Sequence, residues 1–169
     1  MSSKIPSTPH AIEAEQALLG SLIMESTSWD KISDKISASD FFDSKNRIIF
    51  REISDLIISD QVIDLLILEE SLKSKGALND VGGREYLASL TKIVPTHAHI
   101  AQYAEIIKEK SVARELINIS TSTIQNVHQG DLGDINTVLD KAEQDIFKIA
   151  SKSNGTYDLQ QIGPVVQSY

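Results

Sequence analysis

Apolar residues recur along most of this chain at spacings of three and four, the period of a helix that buries one face. Residues 1–8 lack the pattern and read as a flexible lead-in. It begins in PHAIEAEQALLG, where Pro9 suits a first helical turn and Thr8 is a candidate cap. The spacing predicts a helix over 10–24 with Ile12, Leu19, Leu22 and Ile23 on one side. A short helical piece follows over 29–36, and Asp40-Phe41-Phe42 reads as an anchor in the core. A helix over 44–59 then buries Ile49, Ile53, Leu56 and Ile57. The run VIDLLILEESL at 62–72 is ambiguous, because its β-branched start suits a strand. Asp64 as N-cap and Gly76 just past the end favour a helix.

A helix-opening turn at Gly82-Gly83 leads to Tyr86, Leu87, Leu90 and Ile93, one apolar face that stops before Pro95. Thr96 is placed to cap the next helix. From 96 to 129 there is no proline or glycine, and Ile100, Tyr103, Ile107, Ala113, Leu116, Ile124 and Val127 keep the period. Such a helix is about 50 Å long at about 1.5 Å per residue. A head of about 95 residues has a radius of gyration of only about 12 to 13 Å, so the helix is expected to project from it. After the turn Gly130-Asp131-Leu132-Gly133, the positions Ile135, Leu139, Ala142, Ile146 and Ile149 predict the seam of an antiparallel hairpin. Two helices cover only part of each other. Leu116, Ile117, Ile119, Ile124, Val138 and Phe147 are therefore expected to remain partly exposed, as protein interfaces do. SKSNGTYD from Ser151 has the character of a linker. Leu159, Ile162, Val165 and Val166, with Pro164 in a first turn, start a further helix too short to hold itself, as in a longer chain cut at that point.

The expected organisation is thus all-α: a compact helical head over 9–95, a protruding helical hairpin over 96–150, and over 151–169 a linker with the start of a truncated linker helix. The length of 169 residues suits one domain with an appendage, and 41% apolar residues with 5% aromatic suit a small helical core. No apolar run reaches membrane-spanning length and the N-terminus has no secretory signal, which points to a cytoplasmic protein with no membrane partner. The absence of cysteine agrees with that compartment. The net charge is −8, with 16 basic and 24 acidic residues. Affinity for nucleic acid comes largely from basic side chains replacing counterions on phosphates, so a protein partner fits better than DNA.

Catalytic signals are missing. No GxxxxGK[ST] is present, so phosphate-loop ATP hydrolysis is excluded. His97 and His99 are two apart and would point to different faces of a helix, which does not suit a metal. Glu13 with Glu15 and Glu69 with Glu70 read as solvated acids of early helical turns. Lys108, Lys110 and Arg114, interleaved with Glu105, Glu109 and Glu115, read as surface ion pairs rather than a DNA stripe. No catalytic, cofactor or metal residue is assigned.

Three blocks in order carry a family resemblance: PHAIEAEQALLG, then Asp40-Phe41-Phe42 with Arg47-Ile48-Ile49-Phe50, then GGREYLASLTKIVPTHAHIAQYAEIIKEKSVAR from Gly82 to Arg114. Over roughly 9–150 the chain resembles the N-terminal domain of bacterial replicative hexameric helicases of the DnaB family. The resemblance implies self-association, from dimer to hexamer, with an N-terminal collar that is a trimer of dimers and hairpins packing across protomers. It implies docking of the primase, with Glu13, Tyr86 and Ile117 at positions matching the docking face, and it raises a helicase loader as a further partner. ATP, Mg and DNA would belong to a separate motor domain after the linker. Two alternatives stand beside it. The helicase-binding domain of a primase resembles this fold, although the IEAEQALLG opening belongs to the helicase side. An unrelated small helical enzyme is the other, against which stands the lack of a convergent constellation.

Overall fold

The computed structural model describes residues 6–93, 99–130 and 134–154, and every regular element among them is helical. The order is α1 (Ile12–Met24), two 3-10 segments (Ser26–Lys31 and Ala38–Asp40), α2 (Ser44–Ile58), α3 (Leu65–Ser74), α4 (Gly83–Lys92), α5 (Ile100–Gln129) and α6 (Ile135–Asn154). The expectations for Pro95, Thr96 and His97, for the turn at 131–133 and for the linker past Asn154 lie outside the described residues. The chain divides into two compact units, Met1–Ser111 and Val112–Tyr169.

In the first unit α1 packs against α2, α4 and the first 3-10 segment. Enclosure by several neighbours explains why its burial is wider than one stripe: Leu18 is as fully buried as the expected Leu19 and Leu22. The helix begins at Ile12, with Ala11 as N-cap and no side-chain cap. Thr8 is therefore not the cap. Its carbonyl instead accepts a hydrogen bond from His10 Nδ1 at 2.6 Å, while the first helical bond runs from the Glu15 amide to the Ala11 carbonyl. Phe41 fills the core against Phe50, ring centroids 4.7 Å apart, whereas Phe42 is partly exposed and stacks on His10. The anchor is thus Asp40 and Phe41 only.

The 62–72 ambiguity resolves as a helix. Asp64 accepts the Ile67 amide at 2.8 Å, and Ile63 and Leu68 are both buried on either side of that cap, as in a hydrophobic staple. Gly76, at φ +70°, closes the helix in a conformation that favours glycine. On α4 Leu87 and Leu90 are buried, but Ile93 is exposed at the C-cap. Ile100, Ala104 and Ile107 of α5 enter the same core, which is why the first compact unit runs on to Ser111. Asp40, itself buried, accepts from Ser111 Oγ at 2.8 Å and pairs with Lys108 Nζ at 3.3 Å. Lys108 is thus part of a tertiary clamp rather than a surface helix pair.

The second unit contains the rest of α5 and α6. Lys152 lies 3.8 Å from Glu115, so the end of α6 meets the beginning of this stretch of α5 and the two run antiparallel. The seam differs from the expected one. Val138 and Ile149 are the buried apolar side chains, with Ala142 and Asp145 half-buried between them, whereas Ile135, Leu139 and Ile146 are exposed. The apolar band of α6 is wider than the seam, and periodicity locates a band without saying which edge meets the partner helix. The two share Ala142 and Ile149, and at 3.6 residues per turn the true seam is centred about 50° from the expected one.

Candidate docking surfaces

Glu13 and Tyr86 are brought to one region of the first unit by α1 and α4. Glu13 is exposed in the first turn of α1 and lines an open groove of about 680 Å³ with His10, Ala14, Ala17, Ile93, Tyr103 and Ile106. One turn further along α1, Gln16 Nε2 lies 3.4 Å from the Tyr86 hydroxyl. Residues three apart share a helix face, so Glu13 and Tyr86 border the same side of α1.

Tyr86 is half-buried, and its ring and its hydroxyl have different surroundings. The Lys45 ammonium sits 4.7 Å from the ring centroid, and a Cβ added to Gly82 would come 2.9 Å from the Tyr86 Cβ. Gly82, at φ +91°, therefore both turns the chain into α4 and leaves room for this ring. The hydroxyl donates to Asn46 Oδ1 at 2.6 Å, and Asn46 Nδ2 donates to Glu15 Oε1 at 3.2 Å. Burial pushes the Tyr86 phenol above its ordinary pKa; the hydrogen bonds to Gln16 and Asn46 oppose this, and the nearby Asp43 and Glu15 carboxylates add to it.

Glu15 is the residue that sequence reasoning misplaced. It is only 1% exposed, and its carboxylate accepts the Phe42 amide at 2.8 Å, the Asp43 amide at 3.2 Å and Asn46. Rather than solvating its own helix, it caps the approach to α2, where free amides favour an anion. A signal was present: Glu15, Leu19 and Leu22 follow the spacing of the buried face. Asn46, buried at the centre of the network, had none. Glu69 is likewise partly buried and faces Arg84 at 3.5 Å, while Glu70 is exposed.

Ile117 belongs to the second unit, where it is 49% exposed on α5 and so lies outside any core there. Of the interface candidates, Leu116, Ile124 and Phe147 are exposed, Ile119 is half-buried on the seam side of α5, and Val138 is buried inside the hairpin. Glu115, which pairs with Lys152 of α6, shares one side of α5 with the half-buried Val112, Ile119, Ser122 and Asn126, mostly polar. Turning in the same sense from the seam on both antiparallel helices leads to one outer face. Leu116 and Val127 of α5 reach it together with Ile135, Leu139 and Ile146 of α6, and all five are exposed. Among the described residues no group of His, Asp or Glu is arranged to hold a metal ion, and no helix is long and apolar enough to cross a membrane.

Among the described residues the fold is all-helical, with apolar side chains left exposed on α5 and α6. The chain belongs to the family of DnaB-like helicase N-terminal domains, whose model matches residues 7–109. It is 39% identical over 144 residues to the replicative DNA helicase DnaB of Haemophilus influenzae, covering 85% of this chain and 31% of that protein. The chain thus spans about a third of the length of such curated relatives. The N-terminal domain of DnaB helicase from Mycobacterium tuberculosis superimposes with a TM-score of 0.78 at 27% identity, covering 83% of this chain and 99% of that one. A DnaB-like replicative helicase, solved with its interactions with primase, shares the fold at a TM-score of 0.67 and 24% identity over 82% of this chain and 31% of that one. The family match replaces both alternatives, the primase domain and the unrelated enzyme.

Proposed function

We propose that this chain is the oligomerisation and primase-docking domain of a replicative helicase that, at full length, unwinds duplex DNA at the fork using ATP and Mg. The observation that carries the reading is the apolar face of the second unit, which the hairpin leaves uncovered and which a second copy would bury. Of the interface residues Leu116 lies on that face, while Ile124 and Phe147 are exposed further round α5 and α6, and the three serve a collar built as a trimer of dimers that assembles into the hexamer. Ile119 and Val138 are already occupied in the seam, and support that face from within. Glu13, Tyr86 and Ile117 meet the primase. ATP, Mg and DNA engage the part of the helicase that lies beyond this chain, and a helicase loader delivers the assembly, all in the cytoplasm. The net charge of −8 supports a protein partner over direct DNA contact.

The test pairs primase affinity with thermal unfolding. Glu13 is exposed, so Glu13→Ala should weaken primase binding by about 1 to 3 kcal/mol with the melting temperature unchanged. Primase binding at parental strength by Glu13→Ala, Tyr86→Ala and Ile117→Ala would remove the docking assignment.

A further inference from the structure

The corner joining α2 to α3 is used by neither surface above. Ile58, Val62 and Leu66 are 76%, 73% and 61% exposed there, four residues apart in sequence. Ile58 and Val62 are the most exposed large apolar residues described. Around them the charge has one sign. From Glu52 to Leu72 the chain carries Glu52, Asp55, Asp60, Asp64, Glu69 and Glu70 and no lysine or arginine. Glu52 is buried and bound to Lys75 at 2.7 Å and to Ser71, Asp55 lies 3.9 Å from the same Lys75, and Glu69 faces Arg84, so none of the three serves the corner. Asp60 and Asp64 remain exposed beside the three apolar side chains.

Asp60 is unusual in its backbone as well. It is the one non-glycine residue with positive φ among those described, at +57°, and it ends α2 with its amide on the Ile57 carbonyl at 3.0 Å. Glycine is the usual residue in that position, because a Cβ is strained there. The Asp60 carboxylate makes no hydrogen bond or ion pair among the described residues. The positive φ belongs to the cap that ends α2, where the Gln61 amide also reaches the Leu56 carbonyl at 3.0 Å, so what the corner offers a partner is its exposed apolar side chains and the unused carboxylate.

We propose that this corner docks a basic amphipathic helix of a partner protein. Apolar residues of that helix cover Ile58, Val62 and Leu66, and its lysines or arginines meet Asp60 and Asp64. A second copy of this chain fits badly, since a two-fold contact would set Asp60 and Asp64 against the same carboxylates. The surface is distinct from Glu13, Tyr86 and Ile117, so it stands or falls apart from primase docking.

The probe is a synthetic helical peptide with leucines at i, i+3, i+4 and i+7 and lysines beside them, titrated against the full 169-residue chain. A control peptide carries glutamates for the lysines. The lysine peptide should bind, shifting amide resonances over 56–68, and the control should not. Asp60→Gly and Val62→Ser should each weaken binding about tenfold or more, the loss of one good contact at about 1.4 kcal/mol per decade. Asp60→Gly separates docking from folding, because relief of the left-handed strain should leave the melting temperature equal or higher while binding falls. The proposal is overturned if the shifts fall on α1 or on the hairpin face, or if both variants bind like the parent. It is equally overturned if Val62→Ser abolishes self-association of the chain, which would make the corner a contact between copies.

Discussion

The two units bury their apolar residues to different extents. Residues up to Ser111 enclose a core drawn from α1, α2, α3, α4 and the first turns of α5, whereas among the described residues past Ser111 only Val138 and Ile149 are buried apolar side chains. The same helix α5 buries Ile100, Ala104 and Ile107 in one unit and leaves Leu116, Ile117, Ile124 and Val127 exposed in the other. Helical periodicity is similar in both stretches. An apolar stripe therefore says that a face seeks cover; it does not say whether the cover comes from the same chain. In the first unit the chain supplies it, and stability is local. In the second the hairpin supplies part of it, and the remainder is available to a partner.

Substitutions on either side of that divide should behave oppositely. Leu19→Ala, in the wholly buried part of α1, should cost about 3 to 5 kcal/mol in urea unfolding. Leu139→Ala, on the exposed face of α6, should change the stability of the dilute chain by less than about 0.5 kcal/mol. Comparable losses at both sites would erase the distinction. Within the first unit, Glu15→Ala should cost about 2 to 3 kcal/mol, since it strands the amides of Phe42 and Asp43 and the Asn46 side chain, while Glu13→Ala costs almost nothing.

Tyr86→Phe should have a smaller effect, about 1 kcal/mol, because the ring stays and only the bond to Asn46 is lost. It also has a pH signature. The folded phenol is held above its ordinary pKa, so in the unfolded chain it ionises first as pH rises. Its neutral-state stability is complete below the ordinary tyrosine pKa of about 10 and is lost as pH climbs from there through the folded value. Urea unfolding across that alkaline window should show a shallower decline for Tyr86→Phe than for the parent.

Much of this was legible in the sequence where one local rule decides. Asp64 and Gly76 fixed α3, and Gly82-Gly83 fixed the start of α4, because caps and left-handed glycines depend on neighbours a few residues away. What was not legible depended on distant partners. Glu15 looked solvated because the donors its carboxylate accepts from, the amides of Phe42 and Asp43, lie far along the chain, and Lys108 looked like a surface charge until Asp40 was set beside it. The hairpin seam was misplaced for a related reason. Val138 and Leu139 both belong to the apolar band of α6, and only the position of α5 selects the first over the second. At the proposed docking surface Glu13 and Tyr86 came from family resemblance, whereas Gln16 and Asn46, which hold the Tyr86 hydroxyl, carried no signal of their own.

The central claim is that the head is complete in one copy and the hairpin face is not. Amide hydrogen exchange of the chain at low and high protein concentration tests it directly. Protection over 135–153 should rise about tenfold or more with concentration, while protection in α1 and α2 stays constant. Equal protection of α6 at both concentrations would contradict the account, and so would a concentration-dependent change shared by the head.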